Sequence, residues 1–199
     1  GGMSPAPPSY GVMYRRHRPP EELAACARLV ELEGFDELWI VEDCFWAGGL
    51  TAVAASLAVT EHLHVGMGIA PAVARNAAIT AMEMSGLSRM FPGRFVAGFG
   101  HGVASWMRQI GALPPSQLAA LDETVDVVRR LLDGEHLDVA GRHVQLDDVQ
   151  LVFPPTMRPP IVVGVTGPKG IDVTARVADG LLLPEGSSPE YVRTALERL

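Results

Sequence analysis

Leu63-His64-Val65-Gly66-Met67-Gly68-Ile69, followed one helix-length later by Arg94-Phe95-Val96-Ala97-Gly98, is the stretch that decides the fold. Both runs are short and mostly apolar, as strands buried in a parallel sheet read. Between them, the segment from about Asn76 to Arg89 reads as a helix, and Phe91-Pro92-Gly93 breaks it. Strand, crossover helix and second strand together make one βα repeat of a parallel sheet.

Working outward, the same repeat recurs. Toward the N-terminus, Gly11 to Tyr14 reads as a strand, and Pro20 opens a helix with Glu21 and Glu22 in its first turn and Gly34 as its stop. Leu23, Cys26, Ala27 and Val30 share one face of that helix, and Leu38 to Val41 is a continuously apolar strand. Leu50 to Thr60 is a helix that is apolar almost all round, so it needs cover on both sides, from its own domain or from a second subunit. Toward the C-terminus, Ser116 caps a helix in which Leu118, Leu121, Val125, Val128 and Leu132 form a core stripe ending at Gly134. Alternation in His136 to Val139 and Val144 to Leu146 predicts a hairpin inserted near residues 135–152. Ile161 to Val165 is strand five, Lys169 to Val177 its helix, Gly180 to Leu183 strand six, and Pro189 to Leu199 the last helix. The expected fold is therefore α/β, a (β/α)8 barrel of the TIM type with about six of its βα units present. A closed barrel of this kind takes about 250 residues, so the 199 here imply a shortened or degenerate barrel or missing chain. Gly1 and Gly2 before Met3 read as a cloning remnant and Ser4 to Ser9 as a loose lead-in, which leaves residues 10–199 as one domain.

Composition narrows the function classes. The formal charge is −7 with no run of Lys or Arg, so neither nucleic acid nor an anionic membrane is an expected partner. No stretch reaches the roughly 18 apolar residues of a membrane helix, and no secretory signal is legible. The two cysteines, Cys26 and Cys44, lack the spacing of a metal site or redox pair, which suits a reducing cytoplasm. No His, Cys, Asp and Glu set has metal-ligand spacing, and no Gly-x-Ser-x-Gly elbow is present.

In a β/α barrel the working residues stand where strands end and loops begin. Those exits read Glu42-Asp43-Cys44-Phe45-Trp46, Gly68-Ile69-Ala70-Pro71 with Arg75 beyond, Gly98-Phe99-Gly100-His101-Gly102, and Thr166-Gly167-Pro168-Lys169-Gly170. Two are glycine-rich and lead into helices, which presents backbone N–H groups to a phosphate; glycines at such junctions also serve tight turns alone. The Gly-x-Gly-x-Gly lacks the acidic residue about 20 positions on that a dinucleotide fold requires. Asp43 is placed to hold a cofactor ring or substrate polar group, and His101 to bond a phosphate or donate a proton. Cys44 has no base near it in sequence and reads as packing.

Val65-Gly66-Met67-Gly68-Ile69-Ala70-Pro71, Arg75, Thr80-Ala81, Pro92-Gly93-Arg94-Phe95-Val96-Ala97-Gly98-Phe99-Gly100, Gly167-Pro168-Lys169 and Ala178-Asp179-Gly180 resemble the bacterial luciferase-like flavin monooxygenase family. The likeness runs from Tyr10 onward and is nearest to the branch that uses the deazaflavin coenzyme F-420. It implies a dimeric β/α barrel with the cofactor ring over Gly68, Ile69 and Ala70, a cis peptide at Gly68-Ile69, and the cofactor's phosphate-bearing tail at Gly98, Gly100, His101 and Gly102 and at Gly167, Pro168 and Lys169. The implied activity is hydride transfer between coenzyme F-420 and a small organic substrate, with Asp43 and His101 as the polar groups near the ring. The alternatives are a monooxygenase using reduced FMN and oxygen, and a non-catalytic flavin-binding remnant. Sugar-phosphate and alcohol dehydrogenases of the deazaflavin branch carry Asp-His at the second strand exit, where this chain has Asp43-Cys44, so the histidine that would accept an alcohol proton is missing.

Overall fold

The computed structural model describes residues 6–199; the expected cloning remnant and the first two residues of the lead-in fall outside them. Six parallel strands run side by side in chain order: β1 (Gly11–Tyr14), β2 (Glu37–Ile40), β3 (His64–Met67), β5 (Phe95–Gly100), β8 (Ile161–Gly164) and β9 (Gly180–Leu181). A two-residue strand, β4 (Ala70–Pro71), leaves the line of β3 and pairs with the upper half of β5, opposite Phe99 and Gly100. Sequential parallel neighbours are what right-handed crossovers generate, so the sheet curls as the wall of a β/α barrel. Among the described residues β1 pairs only with β2, and β9 only with β8, so the wall is an open arc.

The crossovers are α1 (Leu23–Leu32), α2 (Gly49–Ala58), α3 (Ala77–Met90), α4 (Ala104–Gln109), α5 (Gln117–Leu132) and α6 (Pro168–Val177), with α7 (Pro189–Arg198) after β9. The expected starts hold: Asn76 accepts from the Ala78 N–H, Ser116 from that of Ala119, and Gly34 and Gly134 leave their helices with positive φ. The inserted hairpin is present as β6 (Leu137–Ala140) against β7 (Gln145–Val149), antiparallel.

Helices and strands share one apolar layer. Leu38 and Ile40 of β2, Val65 and Met67 of β3, and Phe95, Ala97 and Phe99 of β5 are buried there, with Leu121, Val125, Val128 and Leu132 of α5. On the concave side Trp39 fills the arc; a methyl group on Gly66 would overlap its ring, so that glycine is required by close approach. The indole N–H of Trp39 donates to Glu37 Oε2 at 2.8 Å.

Several expectations change. The fourth predicted strand does not end at Gly98 but runs to Gly100 as β5, because β4 and β8 both supply backbone partners that far. The helix α4 was not legible: at six residues it has too short a pattern to show a period. Leu118, read as core, is only half-buried and stands at the top of the arc. On α2 the outward positions Thr51, Ala55 and Ala58 are exposed in the single chain.

Candidate active site

The C-terminal ends of the strands open into a cleft of about 700 Å³. Its floor is Ile69 and Pro71, from the break between β3 and β4, with Leu118 of α5. The Gly68–Ile69 peptide bond is cis, as is Cys44–Phe45. One wall is the β2 exit with Glu42 and Asp43; another is the β5 exit, His101, Gly102 and Val103, with Trp106 of α4. The far end is the β8 exit from Gly164 to Gly170.

Glu42 is the most tightly held group. Its carboxylate accepts two bonds from the Arg75 guanidinium, at 2.5 and 2.8 Å, and one from the Gly49 N–H at 2.6 Å. Three elements are thereby tied together: the β2 exit, the start of α2 and the loop before α3. The bond to Glu42 raises the Arg75 pKa further above its ordinary value, against the opposing effect of burial. Asp43 instead turns to Arg16, 2.9 Å away, after the β1 exit. Arg16 lies over the Trp46 ring, 4.6 Å from its centre, and Trp46 meets Trp106 edge-on at 6.1 Å between centroids.

His101 stands at the cleft wall with its Nδ1 buried and without a partner among the described residues. Burial lowers its imidazole below the usual histidine pKa, against a weaker interaction with the Gln117 backbone, so the ring is neutral at pH 7. Burial also pushes the Cys44 thiol up, with Glu42 and Asp43 adding to the effect. Cys44 is therefore a thiol rather than a thiolate, and a poor nucleophile.

At the β8 exit, Gly167 is the N-cap of α6 and Pro168 its first residue, with no side chain capping the turn. The Ile171 N–H is bonded to Gly167 O, while Pro168 has none to give. The N–H groups of Lys169 and Gly170 precede the first bonds that the helix itself can make, and both residues line this end of the cleft.

The cleft thus brings together Asp43, Ile69, His101, Gly102, Gly167, Pro168 and Lys169 from the expected set. Gly68, Ala70, Gly98 and Gly100 stand behind it. A Cβ on Gly98 would land on the Met67 carbonyl, and one on Gly100 on the Ile69 side chain, so both serve the close approach of β5 to the β3–β4 break. Trp106 and Leu118 also line the cleft, outside the expected set; the one signal for them in the sequence is a tryptophan four residues past a glycine-rich exit.

The sequence profile of the luciferase-like monooxygenase family matches residues 3–199. The chain belongs to this family. Among curated luciferase-like relatives, the 5,10-methylenetetrahydromethanopterin reductase of Methanolobus tindarius is 26% identical over 191 residues, covering 96% of this chain and 58% of that protein. The F-420-dependent glucose-6-phosphate dehydrogenase of Nakamurella multipartita is 28% identical over 211 residues, covering 99% and 62%. Of solved structures, the coenzyme F-420-dependent tetrahydromethanopterin reductase of Methanopyrus kandleri superposes with a TM-score of 0.84 at 21% identity, over 96% of this chain and 59% of that one. This luciferase-like chain therefore spans about 60% of the length of the relatives it matches, and its open arc superposes on part of their fold. None of its described helices is long and apolar enough to cross a membrane.

Proposed function

We propose that this chain forms the cofactor-holding part of an oxidoreductase that moves hydride between coenzyme F-420 and a small organic molecule. The observation that carries the reading is the two-ended cleft: a cationic, uncapped helix start at Gly167 to Gly170, and an apolar floor at Ile69 and Pro71 beside His101, whose buried Nδ1 has no partner among the described residues. A long cofactor with an anionic tail and a flat ring fits those residues, the tail at Lys169 and the N–H groups of α6, the ring over Ile69 between Asp43 and His101. When bound, the deazaflavin supplies a ring carbon that gives or takes hydride. The protein supplies position and electrostatics.

Neutral His101 carries a proton on one ring nitrogen and a lone pair on the other, so it is suited to pass a proton at the cleft wall. Asp43 shares its carboxylate with Arg16 and holds polar atoms rather than acting alone. Cys44 stands where the resemblance places a proton-accepting histidine in alcohol and sugar-phosphate dehydrogenases, and its protonated thiol does not replace that base, so reduction of an electrophilic C=C or C=N bond suits this site better than oxidation of an alcohol. The same reading makes the chain part of a homodimer in a reducing cytoplasm, with the small residues Thr51, Ala55 and Ala58 of α2 available for close contact and Cys26 and Cys44 free. A second reading, an oxygenase using reduced FMN, draws support from Trp106 in the cleft wall, backed by Trp46, which would keep water from a reactive intermediate.

Fluorescence and absorbance titration with coenzyme F-420 and, separately, FMN tests the proposal. The expected result is saturation at one F-420 per chain with weaker FMN binding, and about tenfold weaker F-420 binding in Lys169→Ala. The opposite preference moves the assignment to the oxygenase; binding of neither leaves a non-catalytic barrel.

A further inference from the structure

The residues from Thr166 to Lys169, at the far end of the cleft, are all exposed, between buried Val165 and buried Gly170. Packing does not hold this stretch: nothing lies within 4 Å of the place where Gly167 would carry a Cβ, and no side chain caps the helix start there. Among the described residues a single side chain bonds it. The Tyr191 hydroxyl donates to the Thr166 carbonyl at 2.8 Å.

Tyr191 is itself held in place. It is half-buried in the first turn of α7, where its N–H donates to the hydroxyl of the capping Ser188 at 3.2 Å. The last turn of α7 is fixed to α6, because Arg198 gives two bonds to the Asp172 carboxylate, both at 3.0 Å, and Ala195 before it is only 2% exposed. Both ends of α7 therefore hold the same neighbour, Arg198 the helix α6 and Tyr191 the residue that leads into it.

The bond to Thr166 orients more than one atom. The Thr166–Gly167 peptide is trans, so its carbonyl and the Gly167 N–H point in opposite directions. With the carbonyl drawn toward Tyr191, the Gly167 N–H is directed away from it. Without that bond, a peptide ending in an unpacked glycine can rotate and exchange the positive end of its dipole for the negative one. Anion binding by backbone N–H groups at a helix start depends on that orientation.

Resting on the function proposed above, we infer that Tyr191 is a positioning residue for the cofactor tail: its hydroxyl, braced by α7, sets the Thr166–Gly167 peptide and with it the start of α6 that receives the phosphate.

The probes are coenzyme F-420 and its deazaflavin riboside, which keeps the ring and lacks the phosphate-bearing tail. In fluorescence titrations of the full chain, the Kd for F-420 should rise about three- to tenfold in Tyr191→Phe, the effect of one hydrogen bond, while the Kd for the riboside stays within about twofold. Gly167→Ala, at a φ of −84° that alanine adopts without strain and with room for its methyl group, stiffens the loop. In the Tyr191→Phe chain it should recover about twofold or more of the lost F-420 affinity, which it would not do if the phenylalanine variant had merely loosened the fold. An F-420 Kd unchanged in Tyr191→Phe, an equal rise for both probes, or no recovery in the double variant overturns the inference. Lys169→Ala in the same titrations separates it from the reading on which it rests: F-420 binding that depends on Lys169 but not on Tyr191 removes the inference alone, whereas no F-420 binding by the parent chain, or binding that Lys169→Ala leaves unchanged, removes the tail site and the inference with it.

Discussion

Gly98 and Gly100 sit two residues apart on β5, and alanine should act differently at each. At Gly98 the new methyl group meets the Met67 carbonyl, which is backbone and cannot swing away. Gly98→Ala should therefore cost about 3 kcal/mol or more of stability in urea denaturation, the overpacking range or above. At Gly100 the obstacle is Cδ1 of Ile69, the free end of a side chain that floors the cleft. Gly100→Ala should keep most of its stability but displace Ile69, so the loss appears in F-420 affinity, and Ile69→Ala in the same chain should relieve the clash. Glu42 is a third residue-scale case. Glu42→Gln leaves half-buried Arg75 with only the more distant Glu83 carboxylate, 3.7 Å away, and a loss of about 2 kcal/mol is expected by the same denaturation assay, below the range for a fully buried pair because Arg75 keeps that partner and some solvent. Sequence alone marked the glycines as a possible phosphate loop. It could not show that their hydrogens face a carbonyl and an isoleucine, because that depends on where β3 breaks.

At the scale of elements, carboxylates at helix surfaces organise the turns beside them. Glu31 at the end of α1 accepts the N–H groups of Glu61, His62 and Leu63 as the chain enters β3. Glu123 of α5 does the same for Arg142, His143 and Val144 in the hairpin turn. For both, burial pushes the carboxyl up but the three donated bonds outweigh it, and the pKa lies below the ordinary glutamate range. Glu123→Ala should unfix the hairpin from α5 and cost about 1–2 kcal/mol. A fall of about 2–8 °C in Tm is the expected readout, with increased amide exchange confined to residues 137–149. The hairpin itself was readable from its alternation, because a two-residue period is local. Its anchor was not, since nothing in the sequence links Glu123 to a turn some 20 residues later.

For the whole molecule, these same groups set the response to acid. Asp179 belongs with them: burial raises its carboxyl, but the Ile161 N–H and the Arg158 guanidinium hold it lower, and Arg158 also bonds Asp133 at the end of α5. Groups with lowered carboxyl pKa values contribute stability above their unfolded values near pH 4 and lose it as pH falls through the folded ones. His101 acts at higher pH. Its folded pKa is lowered, so the unfolded chain binds that proton first and stability begins to fall as pH drops below about 6.5. A plot of Tm against pH should therefore decline gently from about pH 6.5 and steeply below about pH 4, and His101→Asn should flatten only the first part.

Local sequence specified the six main strands, the longer helices, their caps and the hairpin, because these rest on periodicity and on residues such as Asn76, Ser116 and Gly134 whose effect reaches only a few positions, but not the short β4 and α4. It also determined which loops would line a cleft, since parallel βα connectivity puts every strand exit on one face. Tertiary structure alone decided which residues at those exits look into the cleft. β5 continues to Gly100 because β4 and β8 both pair with it there, and that keeps Gly98 and Gly100 out of the lining and puts His101, Gly102 and Val103 into it. The pairing of Glu42 with Arg75, of Asp43 with Arg16, and of Trp46 with Trp106 joins residues 27 to 60 positions apart, and such contacts exist only once the arc has curled.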